Sequence, residues 1–442
     1  MAITLVIPIA WVHSIISELH RHPTRVAVGA LGRNEYGETD IELLVRSWRV
    51  VHEREAHSRW KQGAPGYMLG FVPDTVNRPR AWESVAWAMR LDHDPPYRST
   101  CTIQLGTGPD VGMFTGIYAE GQTIHPVEQL RLVGAGMPIF QAVDFLHAPT
   151  PVSPHDAERW SRVIGALGEA SVWRRLASLQ IAVIGSGRTG SVIAASLAKQ
   201  GVKNLVLIDP DHLELSNLDA MDLVTEQDLG RPKAEAVAAR LREAVSQAVV
   251  TPLVMSVLSH NSVRALKQVH VIICAVDDPL ARLVSGVLAT CYLKPWLDIG
   301  TGIFRGEVLA GERQPDRELR MGADIRLAVP GDGCVFCLGG VGDLSGVLQR
   351  WGQARTPRPW QEERAGSLRS LNLLAAGTAL RWLEEMVGGR LSQSIWQRVE
   401  INTQGLADWR RFEPRRDAGC TLCTQLGRGD DVTTSPTEET IP

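Results

Sequence analysis

Three groups of residues have types and spacings that imply chemistry. The first is Gly185-x-Gly187-x-x-Gly190, within "VIGSGRTGS". Glycines spaced this way between an apolar run and a helix-forming segment let the main chain approach phosphates. The helix behind them offers free amides and the positive end of its dipole. Alone, the motif does not separate NAD from ATP. Arg188 lies inside the loop, where it either reaches a phosphate or points to solvent. The second group is "LVLIDPDHLELSNLDAM" (Leu205 to Met221). Asp209 ends an apolar run about 20 residues after the glycines, where a dinucleotide fold places its ribose-binding carboxylate. A dehydrogenase has no evident use for Asp211, Glu214, Ser216 and Asn217 behind it. The third group is Cys334-x-x-Cys337 with Cys420-x-x-Cys423. Four thiolates in two matched pairs suit a closed, tetrahedral, structural Zn²⁺ site. Residues 338–419 lie between the pairs, so such a metal staples distant parts of one domain. Cys101, Cys274 and Cys291 are scattered; an odd count with paired spacing argues for metal in a reducing compartment rather than a disulfide frame.

The elements that must position these groups follow from periodicity. Gln180 to Gly185, Asn204 to Asp209 and Val269 to Asp278 read as buried strands. Ser191 to Gly201 and Pro232 to Val245 read as helices, the first ending at Gly and the second starting at Pro. This alternation predicts an α/β, doubly wound, Rossmann-like domain. After Arg313 come turns, the first Cys pair and a polar stretch; a long apolar helix over Leu368 to Met386 then precedes the second Cys pair. Before it all, residues 1–150 form a separate segment of mixed signals, with a strand over Asp40 to Val51 and strands joined by turns over Cys101 to Gly134. "HAPTPVSPHD" reads as a linker, set at residues 151–156; the second domain spans 157–424, and 425–442 is expected to be a disordered tail.

Bulk properties exclude some classes. A chain of 442 residues with 44% apolar content can bury a large core, and a net charge of −3 gives no argument for nucleic acid or a membrane surface. "MAITLVIPIAWV" lacks a basic start and a cleavage site, so a core strand or helix is expected there rather than a signal peptide. No apolar run reaches the ~18 residues of a membrane span. A cytoplasmic protein is expected.

"GSGRTG", "IDPDHLELSNLDAM", "GRPKAE", "AVDD" and the two Cys pairs come in one order with consistent spacing. Together they resemble the MoeB/ThiF superfamily, which includes the ubiquitin-activating enzymes, over about Ala157 to Thr424. The resemblance implies ATP-dependent adenylation of the C-terminal glycine of a ubiquitin-like or sulfur-carrier protein, with Mg²⁺ at the triphosphate. It implies that Asp209 holds the ribose hydroxyls, Asn217 and Lys233 meet the phosphates, and Asp277 holds Mg²⁺. Asp211 and Asp278 match positions that are usually polar. Read without the family, Lys233 is an ordinary lysine at a helix start, and Asp277 and Asp278 before Pro279 are a turn and cap. "ERWSRVIGALGE" (Glu158 to Glu169) resembles the family's N-terminal helix, and Arg162 matches the arginine that reaches the partner's ATP in homodimeric members.

There are two departures. The family usually has arginine where this chain has Ala220, and a missing cation costs ~2–4 kcal/mol of transition-state stabilisation unless replaced. Arg188 is a candidate replacement; a binding-only scaffold is the alternative. No cysteine occurs between Leu338 and Arg369, so the acyl-adenylate is expected to pass directly to a thiol on another protein, such as a conjugating-enzyme-like acceptor. The N-terminal segment resembles the JAB/MPN fold, but "DHDPP" (Asp92 to Pro96) carries one histidine and cannot supply that fold's zinc ligands, so a recruiting role without peptidase activity is expected. Such a pair of domains suggests a bacterial conjugation pathway with a possible antiphage role. Sulfur-carrier activation for cofactor synthesis is the close alternative, and an NAD oxidoreductase leaves Lys233, Asp277 and both Cys pairs unexplained.

Overall fold

The computed structural model describes residues 2–22, 25–36, 40–52, 67–73, 99–105, 114–120, 123–141, 153–305, 319–341, 368–401, 405–414 and 419–433. The chain divides into two compact units. One holds Met1–Pro151, Thr290–Leu293 and Thr424–Pro442; the other holds Val152–Ala289 and Lys294–Cys423.

In the first unit the apolar N-terminus becomes strand β1 (Ala2–Pro8) and then helix α1 (Ile9–Arg21), with Pro8 at the junction. Both expected forms of that stretch therefore occur in succession. Seven further strands follow: β2 (Arg25–Tyr36), β3 (Asp40–His52), β4 (Tyr67–Pro73), β5 (Ser99–Leu105), β6 (Phe114–Glu120), β7 (Thr123–Val133) and β8 (Ile139–Gln141). They pair in the order β1-β3-β2-β4-β5-β6-β7-β8, and β1 also pairs with β7, so the sheet closes on itself. Closure leaves β1 with no free edge. Ile3, Leu5, Ile7, Ile15, Leu31 and Leu43 fill the core. Glu42, 1% exposed, is satisfied by Arg131 at 2.7 Å and by the Asn34 amide, which donates to it at 2.7 Å. "DHDPP" lies outside the described residues. The expected disordered tail differs in its first part. Gly429 bridges to Arg33, and the Glu35 amide and the Tyr292 hydroxyl both donate to Asp430, which anchors this stretch of the tail against β2. Its glycines permit the approach: a Cβ on Gly429 would lie 2.1 Å from the Arg33 carbonyl oxygen.

In the second unit, strands and helices alternate as the periodicity requires. The order is β9 (Gln180–Ile184), α5 (Arg188–Lys199), β10 (Asn204–Ile208), α6 (Lys233–Ala244), β11 (Val249–Leu253), α7 (His260–Gln268), β12 (Val271–Cys274) and α8 (Pro279–Cys291). Three short helices precede them: α2 (Pro154–Arg159), α3 (Ser161–Leu167) and α4 (Ala170–Ser178). The expected linker thus ends in a helix, where Ser153 Oγ accepts the Asp156 amide. The expected single helix over Glu158 to Glu169 is broken at Trp160. That residue is 3% exposed, packs on Trp173 with ring centroids 5.0 Å apart, and donates its indole N–H to the Lys199 carbonyl. Burying the indole sets the break.

The sheet order is β11-β10-β9-β12-β13-β14-β15-β16, where β13 is Trp296–Arg305, β14 Leu319–Ala328, β15 Ile395–Ile401 and β16 Ala407–Phe412. The first five strands are parallel and the last three pairings antiparallel. The long helix α9 (Arg369–Val387) was expected; the antiparallel half was not. β14 reads as turn-like because charges interrupt its apolar residues, yet Arg326 in it is only 5% exposed and is paired.

Candidate functional site

Strand order reverses between β9 and β12, since β10 and β11 lie to one side of β9 and β12 and β13 to the other. Ligands of open α/β sheets bind outside the carboxyl ends of the strands at such a point. One row of paired residues marks those ends in β11, β10, β9 and β12, namely Leu253, Ile208, Ile184 and Cys274, and the row continues into Asp298 near the start of β13. The glycine loop, Asp209 and the Ala275–Asp277 turn all begin one residue beyond it.

Two of the three glycines are required by contacts. Gly185 has φ +87°, and a Cβ there would lie 2.6 Å from the Ala275 carbonyl oxygen. A Cβ on Gly190 would lie 1.8 Å from the Gly185 carbonyl oxygen. So the loop, the first turn of α5 and the turn carrying Asp277 are packed main chain to main chain. Gly187 is the residue before α5, and the space beside its Cα is open. Asp209 is 5% exposed, and its two oxygens accept the Ser186 amide at 2.6 Å and the Asp211 amide at 2.9 Å. Burial raises its pKa, while the two amides and the charge of Lys233 oppose the rise. Its first task is therefore to fix the glycine loop.

Lys233 opens α6, and its Nζ lies 3.0 Å from Asp211 Oδ2. The lysine side chain is 14% exposed and the aspartate 66%, so a phosphate can compete for a lysine that is already held in place. Arg188 is tied to the segment over residues 214–219. Its guanidinium donates to the Ser216 carbonyl at 2.7 Å and pairs with Asp219 at 3.0 Å. Asn217 caps a single helical turn, where its Oδ1 accepts the Glu214 amide. Both residues thus shape the 214–219 segment and carry it over the start of α5. At the far end of that segment, Ala220 is buried, and Arg369 donates to its carbonyl at 2.7 Å while pairing with Asp222. Asp277 is exposed. Asp278 Oδ1 accepts the Leu280 amide, which is a cap for α8, in line with the reading made without the family. Arg162 is exposed on α3 and joins none of these contacts.

The four cysteines converge. Cys334 Sγ lies 3.6 Å from those of Cys337 and Cys420, and Cys337 Sγ lies 3.5 Å from that of Cys423. All four are within 4.8 Å of one another. Sulfurs ~2.3 Å from a tetrahedral zinc are about 3.8 Å apart, whereas a disulfide needs about 2.05 Å, so the set fits a metal and not a bridge. Without a cation their charges conflict. A hydrogen bond from Cys423 pulls the Cys334 thiol down to about 5, burial pushes Cys337 up to about 11, and the contact with Cys334 drives Cys423 far up. A divalent ion would relieve this for all four. Cys274 and Cys291 are instead pushed up to about 12, chiefly by burial, and are poor nucleophiles.

Residues 160–421 match the ThiF family, more than half of the chain. The chain belongs to the ThiF family. It is 34% identical over 113 residues to the sulfur carrier protein ThiS adenylyltransferase of Bacillus subtilis, covering 25% of this chain and 34% of that protein. It is 32% identical over 140 residues to the Nedd8-activating enzyme E1 catalytic subunit of Drosophila melanogaster, covering 29% and 31%. The chain therefore spans about a third of these relatives' length. Among solved structures it is similar to E. coli MccB with MccA-N7isoASN, at 19% identity and a TM-score of 0.45, covering 60% of this chain and 74% of that one.

As a ThiF-family chain it holds functional candidates that sequence reasoning missed. Asp298 is fully buried and bound by two arginines, Arg282 and Arg326. The available signal was charge inside three apolar stretches, Asp298 in "PWLDIG", Arg282 in "PLARLV" and both Asp324 and Arg326 in "ADIRLA". Buried charges must be paired, so three such interruptions suggest one another as partners. Arg369 gave no such signal, because it stands beside a polar stretch at a helix start.

Proposed function

We propose that the chain uses ATP to adenylate the C-terminal glycine of a ubiquitin-like or sulfur-carrier protein. One observation carries the reading: in a ThiF-family chain, the glycine loop, buried Asp209 and the Asp211–Lys233 pair meet at the switch point of a parallel sheet. In the reaction, a carboxylate oxygen of the carrier bonds to the α-phosphorus, and the bond to the bridging oxygen breaks. Pyrophosphate leaves with that electron pair, and no proton transfer is needed. Negative charge grows on the phosphate oxygens, so fixed donors and cations do the catalytic work. Amides of the Gly185–Gly190 loop face the phosphates, and Lys233 exchanges Asp211 for a phosphate oxygen. Asp209 meets the ribose with lone pairs its two amide donors leave free. Mg²⁺ bound with the triphosphate supplies further positive charge, and Asp277 is the residue that would hold it. Zn²⁺ at Cys334, Cys337, Cys420 and Cys423 is structural.

A homodimer brings the partner copy's Arg162 to each site, which suits an exposed arginine on α3. With no crossover cysteine, the adenylate goes to a thiol on a separate acceptor protein. A conjugation pathway, with the JAB/MPN-like N-terminal unit recruiting the carrier, is the preferred setting, and an antiphage role fits it. Sulfur-carrier activation is the alternative. A non-catalytic scaffold is favoured only by Ala220, and Arg369, which donates to the Ala220 carbonyl and pairs with Asp222, keeps a guanidinium in that neighbourhood.

The test is ATP–pyrophosphate exchange with candidate carriers. Exchange is expected with a carrier ending in glycine and should vanish when that glycine is deleted. No exchange with any carrier, despite nucleotide binding, would leave the scaffold reading standing.

A further inference from the structure

Three charges beside the carboxyl end of β12 form a connected relay. Asp298 Oδ1 accepts from Arg282 Nε at 2.6 Å, and Oδ2 faces Arg326 Nη1 at 2.8 Å. Each arginine has a second grip. Arg282 Nη2 donates to the Val276 carbonyl at 2.9 Å, the residue before Asp277. Arg326 Nε donates to the Leu338 carbonyl at 2.9 Å and Nη2 to the Gly339 carbonyl at 3.3 Å, just after Cys337. The site is built for this. Asp298 pairs across the sheet with both Cys274 and Arg326, and a Cβ on Gly300 would lie 3.0 Å from Arg282 Nη2. The cysteine turn also packs on α8, where a Cβ on Gly286 would lie 2.6 Å from Val335.

A buried ionic triad adds little net stability over well-packed apolar residues of similar size. What it does supply is geometry, because a guanidinium fork fixes both of its acceptors. We propose that Asp298 is a positioning residue: through Arg282 it sets the Val276–Asp277 turn, through Arg326 it sets the turn after Cys337, and it thereby couples divalent–nucleotide binding to metal retention at the cysteines. The inference rests on the adenylation reading for the role of Asp277. Coupling of this kind is reciprocal, so each ligand tightens the other.

The zinc-loaded full-length protein tests it with Mn²⁺ and ATP. In Arg282→Lys the charge stays but the fork is lost. Mn²⁺·ATP affinity, read by the electron paramagnetic signal of free Mn²⁺, should fall about tenfold, as losses behind a metal ligand commonly do. Affinity for ATP without a divalent ion should stay at the wild-type value, which a general loosening of the fold would not allow. In the wild type, saturating Mg²⁺·ATP should slow chelator-driven zinc loss, and in Arg282→Lys that protection should disappear. Arg326→Lys is the second variant, leaves the Arg282–Asp298 contact intact, and should also abolish protection. Wild-type Mn²⁺·ATP affinity in Arg282→Lys, a parallel loss of metal-free ATP affinity, or protection retained in both variants would overturn the proposal. A wild-type protein that binds no nucleotide overturns it together with the adenylation reading. Binding without exchange sinks only the latter.

Discussion

At the scale of single residues, Lys233 opens α6 with its Nζ resting on the Asp211 carboxylate, 3.0 Å away. Glycine spacing, Asp209 and Lys233 were legible because each stands at a strand end or helix start, where periodicity changes. That Lys233 rests on Asp211, or that Arg188 is spent on Ser216 and Asp219, depends on loop paths that periodicity does not encode. The pairing has a kinetic meaning. Lys233 is held near its working position, so its removal should act on the transition state more than on ground-state binding. Lys233→Ala is expected to lower the exchange rate about 100-fold or more, while ATP affinity changes by a much smaller factor. An equal loss in both would make Lys233 a binding residue only.

At the scale of elements, the parallel half of the sheet was legible and the antiparallel half was not. Short apolar runs such as Val271–Cys274 are wholly buried and read as strands from composition alone. β14 and β15 carry charges that pair across them: Arg398 binds Asp324 through Nε and Nη2, and the Trp396 indole donates to the same carboxylate. Burial opposes ionisation of Asp324, but these donors and Arg326 outweigh it and hold the pKa below its ordinary 3.8. A lowered acid pKa contributes stability that is present above the unfolded value and is lost as pH falls through the folded one. Asp324→Asn should therefore cost about 1–3 kcal/mol at pH 7, and the difference from wild type should shrink below about pH 4. Denaturant midpoints at the two pH values check this, and a constant difference would assign the loss to packing.

At the scale of the whole molecule, the order of motifs fixed the family, whereas the closed sheet of the first unit and the anchored tail were not legible. β1 pairs with both β3 and β7, and Asp430 binds residues far away in sequence; neither leaves a local pattern. A shared site in a homodimer has a direct consequence. If Arg162 serves the partner's ATP, then Arg162→Ala and Lys233→Ala, each inactive alone, should regain about a quarter of wild-type exchange when co-refolded one to one, because half the pairs are mixed and each holds one intact site. No recovery would place Arg162 in its own subunit's site, and an Arg162→Ala variant active on its own would place it outside catalysis. The central claim, that a triphosphate lies between the glycine loop and Lys233, is tested most directly by a crystal structure with a non-hydrolysable ATP analogue. The account expects phosphates on the amides of Gly185–Gly190, Lys233 Nζ moved from Asp211 to a phosphate oxygen, and Asp277 facing the metal. Lys233 still on Asp211 beside a bound nucleotide, or a nicotinamide seated in that place, would contradict it.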